Sequence, residues 1–468
     1  MAGNAVSING SWASRWVFIL AATGSAVGLG NIWKFPYMTG MYGGGAFVVM
    51  YLVCIALVGL PIMLAETLIG RRARMSPVNA MRSLAVEAGA SPKLAWPAVM
   101  GMVAALLILS FYSVIAGWSL DYVLGMGAGR FTGVDAAGAG AAFGALTADP
   151  WRLTLWHTLF MVLTGFVIAR GVVAGLEKSL RVMMPLLFVL LLILLGYSFT
   201  TGHFMEGFHF LFSFQPDKVL DGVLAAMGHA FFTLSVGVGS IMVYGSYMPR
   251  HASIGATVLT VGILDTLVAL TAGLALFPIV FAGGLEPGAG PGLMFVTLPV
   301  AFGNIPFGQL MGTVFFILVL IAAWTSSISM LEPAVAYLVE RTGRSRALIT
   351  AGLALLCWLV GMGTVLSFNL GADARFFVFG EDGFHLFQWG AEGGRTFFDS
   401  IDYLTSRILL PLGGLAFVLF AGWVLKRETV REELALRSPL LFTAVYWLMR
   451  VVAPLGVLVV FVAELAKQ

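Results

Sequence analysis

Eleven stretches of this chain are each long and apolar enough to cross a lipid bilayer, and little sequence remains outside them. A helical crossing needs roughly 20 mostly apolar residues. Such runs fall at about 14–40, 45–71, 94–125, 152–170, 179–200, 219–248, 252–283, 307–341, 346–367, 399–425 and 438–465. Of the 468 residues, 59% are hydrophobic and only 10% charged. A soluble domain carries about 25% charged residues to present a hydrated surface, so most of this surface faces lipid. The expectation is an all-α polytopic membrane protein, one transmembrane domain over 1–468. Cys54 and Cys357 lie apart in apolar runs, which reads as two buried thiols rather than a disulfide or metal site. No cleavable leader is evident.

Loop charge sets the expected orientation. Arg71, Arg72 and Arg74, then Arg170, Lys178 and Arg181, then Arg341, Arg344 and Arg346, then Lys426, Arg427, Arg431 and Arg437 fall on one side. Opposite them stand only Arg130, Arg152, Lys218, Arg375, Arg395 and Lys467. The bias predicts a cytoplasmic N-terminus and, with an odd number of spans, an external C-terminus. The segment 126–151 is Gly/Ala-rich and reads as a loop. The stretch 284–306, with Glu286-Pro287-Gly288 and Gly290-Pro291-Gly292, reads as an external loop, as does the polar and Phe-rich 368–398. No Gly-x4-Gly-Lys-Ser/Thr loop is present, which disfavours an ATP-driven pump and leaves an ion gradient as the energy source. The net charge of +3 is small and dispersed, so nucleic acid is not an expected partner; membrane lipid is.

Two spans break the rule that backbone in lipid must satisfy its own hydrogen bonds. The first carries Gly24, Gly28 and Gly30 in mid-run, followed by Asn31, Lys34 and Pro36; the sixth carries Ser235, Gly237, Gly239 and Ser240. Small residues also serve close helix packing. Asn31 and Lys34 are expensive in lipid, however, and shift the reading towards a site. Unwinding frees carbonyls for a cation and offers half-helix N–H groups to a carboxylate. Interrupted helices in corresponding places of two halves point to a transporter's binding site.

These residues carry a resemblance. Trp12-Ala-Ser-Arg-Trp, Gly24-Ser-Ala-Val-Gly-Leu-Gly-Asn-Ile-Trp-Lys-Phe-Pro-Tyr37 and Gly43-Gly-Gly-Ala-Phe47 resemble the first-span signature of neurotransmitter:sodium symporters. Gly59-Leu-Pro, Glu66, Gly70-Arg71, Phe231-Phe-Thr-Leu-Ser235, Tyr244-Gly-Ser-Tyr247 and Thr325-Ser-Ser-Ile328 extend it in order along the chain. The resemblance implies about 11 transmembrane helices of the LeuT-like fold, with spans 1–5 (about 14–200) inverted against spans 6–10 (about 219–425). An extra span lies at about 438–465, and spans 1 and 6 are unwound in mid-membrane. It implies sodium-coupled symport of an amino acid by alternating access in a bacterial inner membrane, and no enzymatic role.

Carried over residue by residue, a first sodium would take the Ala26 carbonyl, Asn31, Thr233 and Asp265. A second would take the carbonyls of Gly24, Val27 and Ala322 with the hydroxyls of Thr325 and Ser326. Such oxygen donors suit a hard cation. The substrate carboxylate would meet the Leu29 and Gly30 N–H groups and Tyr112, and its amine the carbonyls of Ala26, Phe232 and Thr233 with the Ser235 hydroxyl. Ile108, Phe232, Val238, Ser326 and Met330 would line an uncharged side-chain pocket. Gly28 stands where monoamine carriers of the family place Asp, which favours a substrate bearing its own carboxylate, a small neutral and hydrophobic amino acid.

Several positions depart from the family pattern. Asp265 stands where many members have Asn, and it would supply the fixed negative charge that chloride supplies in animal members, so chloride is not expected to be required. Lys34 replaces the usual outer-gate Arg, with Asp402 as expected partner. The basic inner-gate position appears as Asn9 and its acidic partner position as Glu340. Closure beside Trp12 is therefore expected to fall to hydrogen bonds among Ser246, Tyr247 and Glu332. Glu66 and His229 read as supports of the unwound segments. A carrier of another zwitterion (a betaine, taurine, an imino acid), or a sensor or channel of the same fold, is the alternative.

Overall fold

The computed structural model describes residues 12–285, 292–380, 383–390 and 393–465. Among the described residues, nine continuous helical spans are long and apolar enough to cross a membrane: Gly45–Ala73, Pro92–Gly127, Pro150–Ala169, Val172–Thr201, Ile254–Ala282, Gly308–Thr342, Arg346–Ser367, Phe397–Val424 and Pro439–Ala463. Arg15–Ala26 and Gly30–Met41 together form a tenth, bent by 54°. The run expected at 219–248 is delivered as two shorter helices, Val219–Thr233 and Ser240–Tyr247. These eleven are numbered here span 1 to span 11 in chain order, with spans 1 and 6 the broken ones.

Physical causes for both breaks lie in their sequences. In span 1, Gly28 N–H turns to the Asn31 side chain (3.1 Å to Oδ1) and Leu29 N–H faces the Tyr112 hydroxyl at 3.5 Å. Neither then closes the i→i−4 ring of a helix, so the carbonyls of Gly24 and Ser25 lose their helical donors. In span 6, Ser235, Gly237 and Gly239 all take positive φ, at 51°, 90° and 81°. Gly237 has a second constraint, since a Cβ there would collide with the Leu410 carbonyl of span 10. Its N–H donates to the buried Glu66 Oε1 of span 2 at 2.7 Å. The break is thus fixed from both sides. Ser235 Oγ–H donates to the Ser25 carbonyl at 2.6 Å, joining one break to the other.

Three expectations about loops are corrected. The stretch 126–151 contains a helix, Ala136–Ala148, capped by Asp135, whose carboxylate accepts Gly138 N–H at 2.7 Å. Alanine drives it despite the interspersed glycines, and Phe143 stacks on Phe295 with centroids 5.6 Å apart. The stretch 284–306 contains the helix Leu293–Gly303; Glu286, Pro287, Gly288, Gly290 and Pro291 lie outside the described residues. The stretch 368–398 folds into an antiparallel hairpin, Ala374–Gly380 against Gly383–Trp389, the one described exception to an otherwise helical chain. At the arginine-rich face run two short amphipathic helices, Pro77–Glu87 and Arg427–Leu434. Cys54 and Cys357 are buried free thiols.

Candidate functional site

The two breaks meet spans 3, 8 and 10 around one pocket. Its walls are Ser25, Ala26, Gly28, Leu29, Gly30, Ile108, Tyr112, Phe232, Ser235, Val238, Ser326, Met330 and Leu410. Every substrate-contact residue expected from sequence is in that wall except Thr233. The Thr233 hydroxyl turns instead to Asp265, 3.0 and 3.1 Å from its two oxygens. Ser25 and Leu410 are additions. None of the lining side chains is charged. A Cβ at Gly28 would sit 2.7 Å from Ser326 Oγ and 3.2 Å from Tyr112 Oη, so a side chain there could be seated only if Ser326 gave way.

Free space in this pocket is about 30 Å³, enough to hold water. A vestibule of about 310 Å³ adjoins it on the side away from the arginine-rich face, lined among others by Lys34, His229, Phe232, Arg407 and Leu410. Phe232 and Leu410 line both and so form the partition. Substrate entry from the vestibule requires that partition to move.

Beside the pocket lies Asp265, wholly buried in span 7. It accepts from Asn31 Nδ2 at 2.8 Å, from Thr233, and from Tyr51 Oη–H at 2.9 Å. Among the described residues no lysine or arginine pairs with it. A buried carboxylate held only by neutral donors leaves its charge uncompensated, which suits a small cation. Asn31, Thr233 and Asp265 therefore converge as expected, while the Asn31 amide oxygen here accepts Gly28 N–H. Tyr51 was not foreseen; a tyrosine in mid-span 2 was its only signal.

A second oxygen cluster lies where span 1 crosses span 8. The Ser326 hydroxyl faces the carbonyls of Gly24, Ser25 and Val27 at 3.4, 3.3 and 3.4 Å. Thr325 Oγ1–H donates to the Ala322 carbonyl at 3.0 Å. The set expected for a second sodium is thus brought together, and the chemistry of its donors, carbonyls and hydroxyls, fits that ion.

The arginine-rich side is closed by a buried stack. Trp12 packs edge-on against Tyr244 and Tyr247, with centroids 5.2 and 5.6 Å away, and its backbone N–H donates to the Tyr247 carbonyl at 3.0 Å. Tyr247 Oη–H donates to Glu332 Oε1 at 2.6 Å, and the other Glu332 oxygen pairs with Arg346 of span 9. Closure here is not by hydrogen bonds alone, because Arg346, counted in sequence only as a loop charge, supplies an ion pair. The Ser246 hydroxyl does not reach across: it donates back to the Val243 carbonyl at 2.6 Å, and the Ser246 carbonyl accepts from Arg74 at the end of span 2. Glu340 accepts from Ser76 and Asn79, holding the start of helix Pro77–Glu87. Asn9 lies outside the described residues.

On the opposite side the expected Lys34–Asp402 pair is not formed. Lys34 Nζ lies 4.8 Å from the centroid of the Phe232 ring, and Asp402 accepts the Ser406 hydroxyl at 2.8 Å. A lysine is a point charge without a bidentate fork, and a ring face offers it a competing seat.

With this geometry in place, comparison with known proteins gives one answer. The family model described as the sodium:neurotransmitter symporter family matches residues 9–128 and 140–372. The chain belongs to that family. It is 37% identical over 456 residues to a sodium-dependent transporter of Bacillus subtilis (strain 168), covering 96% of each chain. A sodium-dependent transporter of Haemophilus influenzae is 29% identical over 466 residues, covering 97% of this chain and 98% of that one. Among solved structures, that of MhsT in complex with L-phenylalanine superposes with a TM-score of 0.85 at 41% identity, over 97% of this chain and 99% of that one. This member of the sodium:neurotransmitter symporters is therefore a multi-pass, sodium-dependent membrane transporter, and its family is one of carriers rather than enzymes.

Proposed function

We propose that this symporter carries a neutral, hydrophobic amino acid into the cell with sodium, by alternating access about the pocket between spans 1, 3, 6 and 8. The observation that carries the reading is the close approach of Ser326 and Tyr112 to Gly28, which leaves no room there for an acidic side chain of the protein's own. No acidic side chain lines the pocket, so a substrate amine finds only carbonyls and hydroxyls, while Leu29 N–H and the Tyr112 hydroxyl remain for a carboxylate that the substrate brings. Ile108, Val238, Met330 and Phe232 offer apolar contact. The MhsT structure holds L-phenylalanine, which favours an aromatic or large aliphatic side chain here too.

Two sodium ions accompany the substrate. Asp265 with Asn31, Thr233 and the Ala26 carbonyl takes one, and Ser326 and Thr325 with the Gly24, Val27 and Ala322 carbonyls take the other. The Asp265 charge makes chloride dispensable. The N-terminus and the arginine-rich face lie in the cytoplasm of a bacterial inner membrane, with the C-terminus outside. Spans 1–5 and 6–10 act as an inverted pair.

Sodium-dependent binding of radiolabelled phenylalanine or leucine, competed by each of the twenty amino acids, tests this. Competition by apolar amino acids, lost without sodium, is expected and should persist when gluconate replaces chloride. Displacement by betaine, taurine or proline alone would assign another zwitterion. Saturable binding without sodium-driven uptake in proteoliposomes would leave a sensor.

A further inference from the structure

The structure assigns a second ligand site on the flank of the molecule: the groove between spans 4 and 9 binds one anionic phospholipid, with an acyl chain in the groove and the phosphate at its arginine rim. The inference rests on the orientation proposed above, which puts that rim in the cytoplasmic leaflet.

The groove has a volume of about 540 Å³, and its walls include Thr158, Gly165, Phe166, Ala351, Ala354 and Trp358. It is closed at one end, where Trp358 Nε1–H donates to Thr158 Oγ1 at 2.9 Å. At its floor the helices nearly touch, since a Cβ on Gly165 would lie 3.7 Å from that of Ala354. From Thr158 to Ala169, both in the wall, the helix rises roughly 17 Å at 1.5 Å per residue. That is about half of a hydrocarbon core roughly 30 Å thick. A blind apolar slot one leaflet long fits an extended chain and has no place for a polar head.

The open end is built differently. Ala169 and Ala347 form its lip, and arginines adjoin them. The exposed Arg170 lies with its guanidinium 4.2 Å above the Phe166 ring, and Arg344 is exposed in the turn before span 9. Among the described residues neither forms an ion pair, whereas neighbouring Arg346 is neutralised by Glu332 and Arg341 bonds the Tyr337 hydroxyl. One turn into the groove from this rim, Thr350 Oγ1 is buried and has no hydrogen-bond partner. A hydroxyl at that depth, just below two unneutralised guanidinium groups, suits the ester carbonyl beneath a lipid phosphate. Basic pockets between helices on the cytoplasmic side recognise anionic headgroups in this way.

Native mass spectrometry of the full-length protein, exposed to equal phosphatidylglycerol and phosphatidylcholine of matched chains, tests the site. One retained phosphatidylglycerol is expected, with at least tenfold preference over phosphatidylcholine. Arg170→Gln with Arg344→Gln should abolish the preference, and Gly165→Leu should expel either lipid while sodium-dependent amino-acid binding persists. Equal retention of both lipids by the unaltered protein would overturn the proposal. So would a preference that survives the double substitution, displacement of the lipid by inorganic phosphate, or a dimer that Gly165→Leu converts to monomer, which would make a second copy the occupant. Because the lipid readout is separate from transport, failure of the proposed substrate class leaves this result standing.

Discussion

The two sides of the central pocket are closed by different means. On the arginine-rich side Trp12, Tyr244, Tyr247 and Glu332 are each almost wholly buried, and every link from Trp12 to Arg346 is a direct contact. On the other side the closure is thin: Phe232 and Leu410 stand between pocket and vestibule, and Lys34 rests on Phe232 rather than on a carboxylate. A buried network is costly to break, while an open rim of charges is worth little. This conformation is therefore held mainly from the arginine-rich side and is free to respond on the vestibule side.

Four substitutions put that contrast to the test. Glu332→Gln should act most strongly, since removing one partner of a buried pair costs about 3–5 kcal/mol. Apparent affinity for the amino acid should fall about 100-fold as the binding-competent state loses population, measured by sodium-dependent equilibrium binding; unchanged affinity would show that the pair is not the latch. Trp12→Ala should follow, because truncating a buried tryptophan costs about 3 kcal/mol or more. A cysteine introduced at Ser25 should then react about tenfold faster with a membrane-impermeant thiol reagent added from the arginine-rich side of inside-out vesicles. Lys34→Arg should strengthen the thin side. A guanidinium can fork onto Asp402, and substrate release should slow about threefold in a dissociation time course. Lys34→Gln should change affinity less than twofold, as expected of a partly exposed charge without a carboxylate partner; a large loss would mean that Lys34 contacts the substrate directly.

Much of this was legible in sequence, for reasons that vary by region. The spans announced themselves because lipid tolerates no charge over so many residues, and the breaks because glycines clustered where a helix needed none. Pocket residues on spans 1, 3, 6 and 8 followed from the resemblance, and Ile108, Tyr112, Val238 and Met330 are where it implied. What stayed hidden depends on partner choice in three dimensions. Nothing local marks Arg346 as the mate of Glu332, fourteen positions earlier on another helix, or Lys34 as preferring a ring to Asp402. Tyr51 looked like any aromatic of a lipid-facing run until its hydroxyl met Asp265. The helix at Ala136–Ala148 and the hairpin at Ala374–Trp389 hid behind glycines that mimic loop composition.

The Ser326 hydroxyl carries one proton and faces three carbonyls. The Ser25 carbonyl already takes the Ser235 hydroxyl, so those of Gly24 and Val27 compete for that one proton and at least one keeps an electron-rich face turned to the same point. All three carbonyl oxygens are main chain, present whatever side chains the positions carry. Drift in the pocket's side chains can thus reshape the space for a cargo over evolutionary time, while this cluster of oxygens is inherited with the bend of the backbone itself.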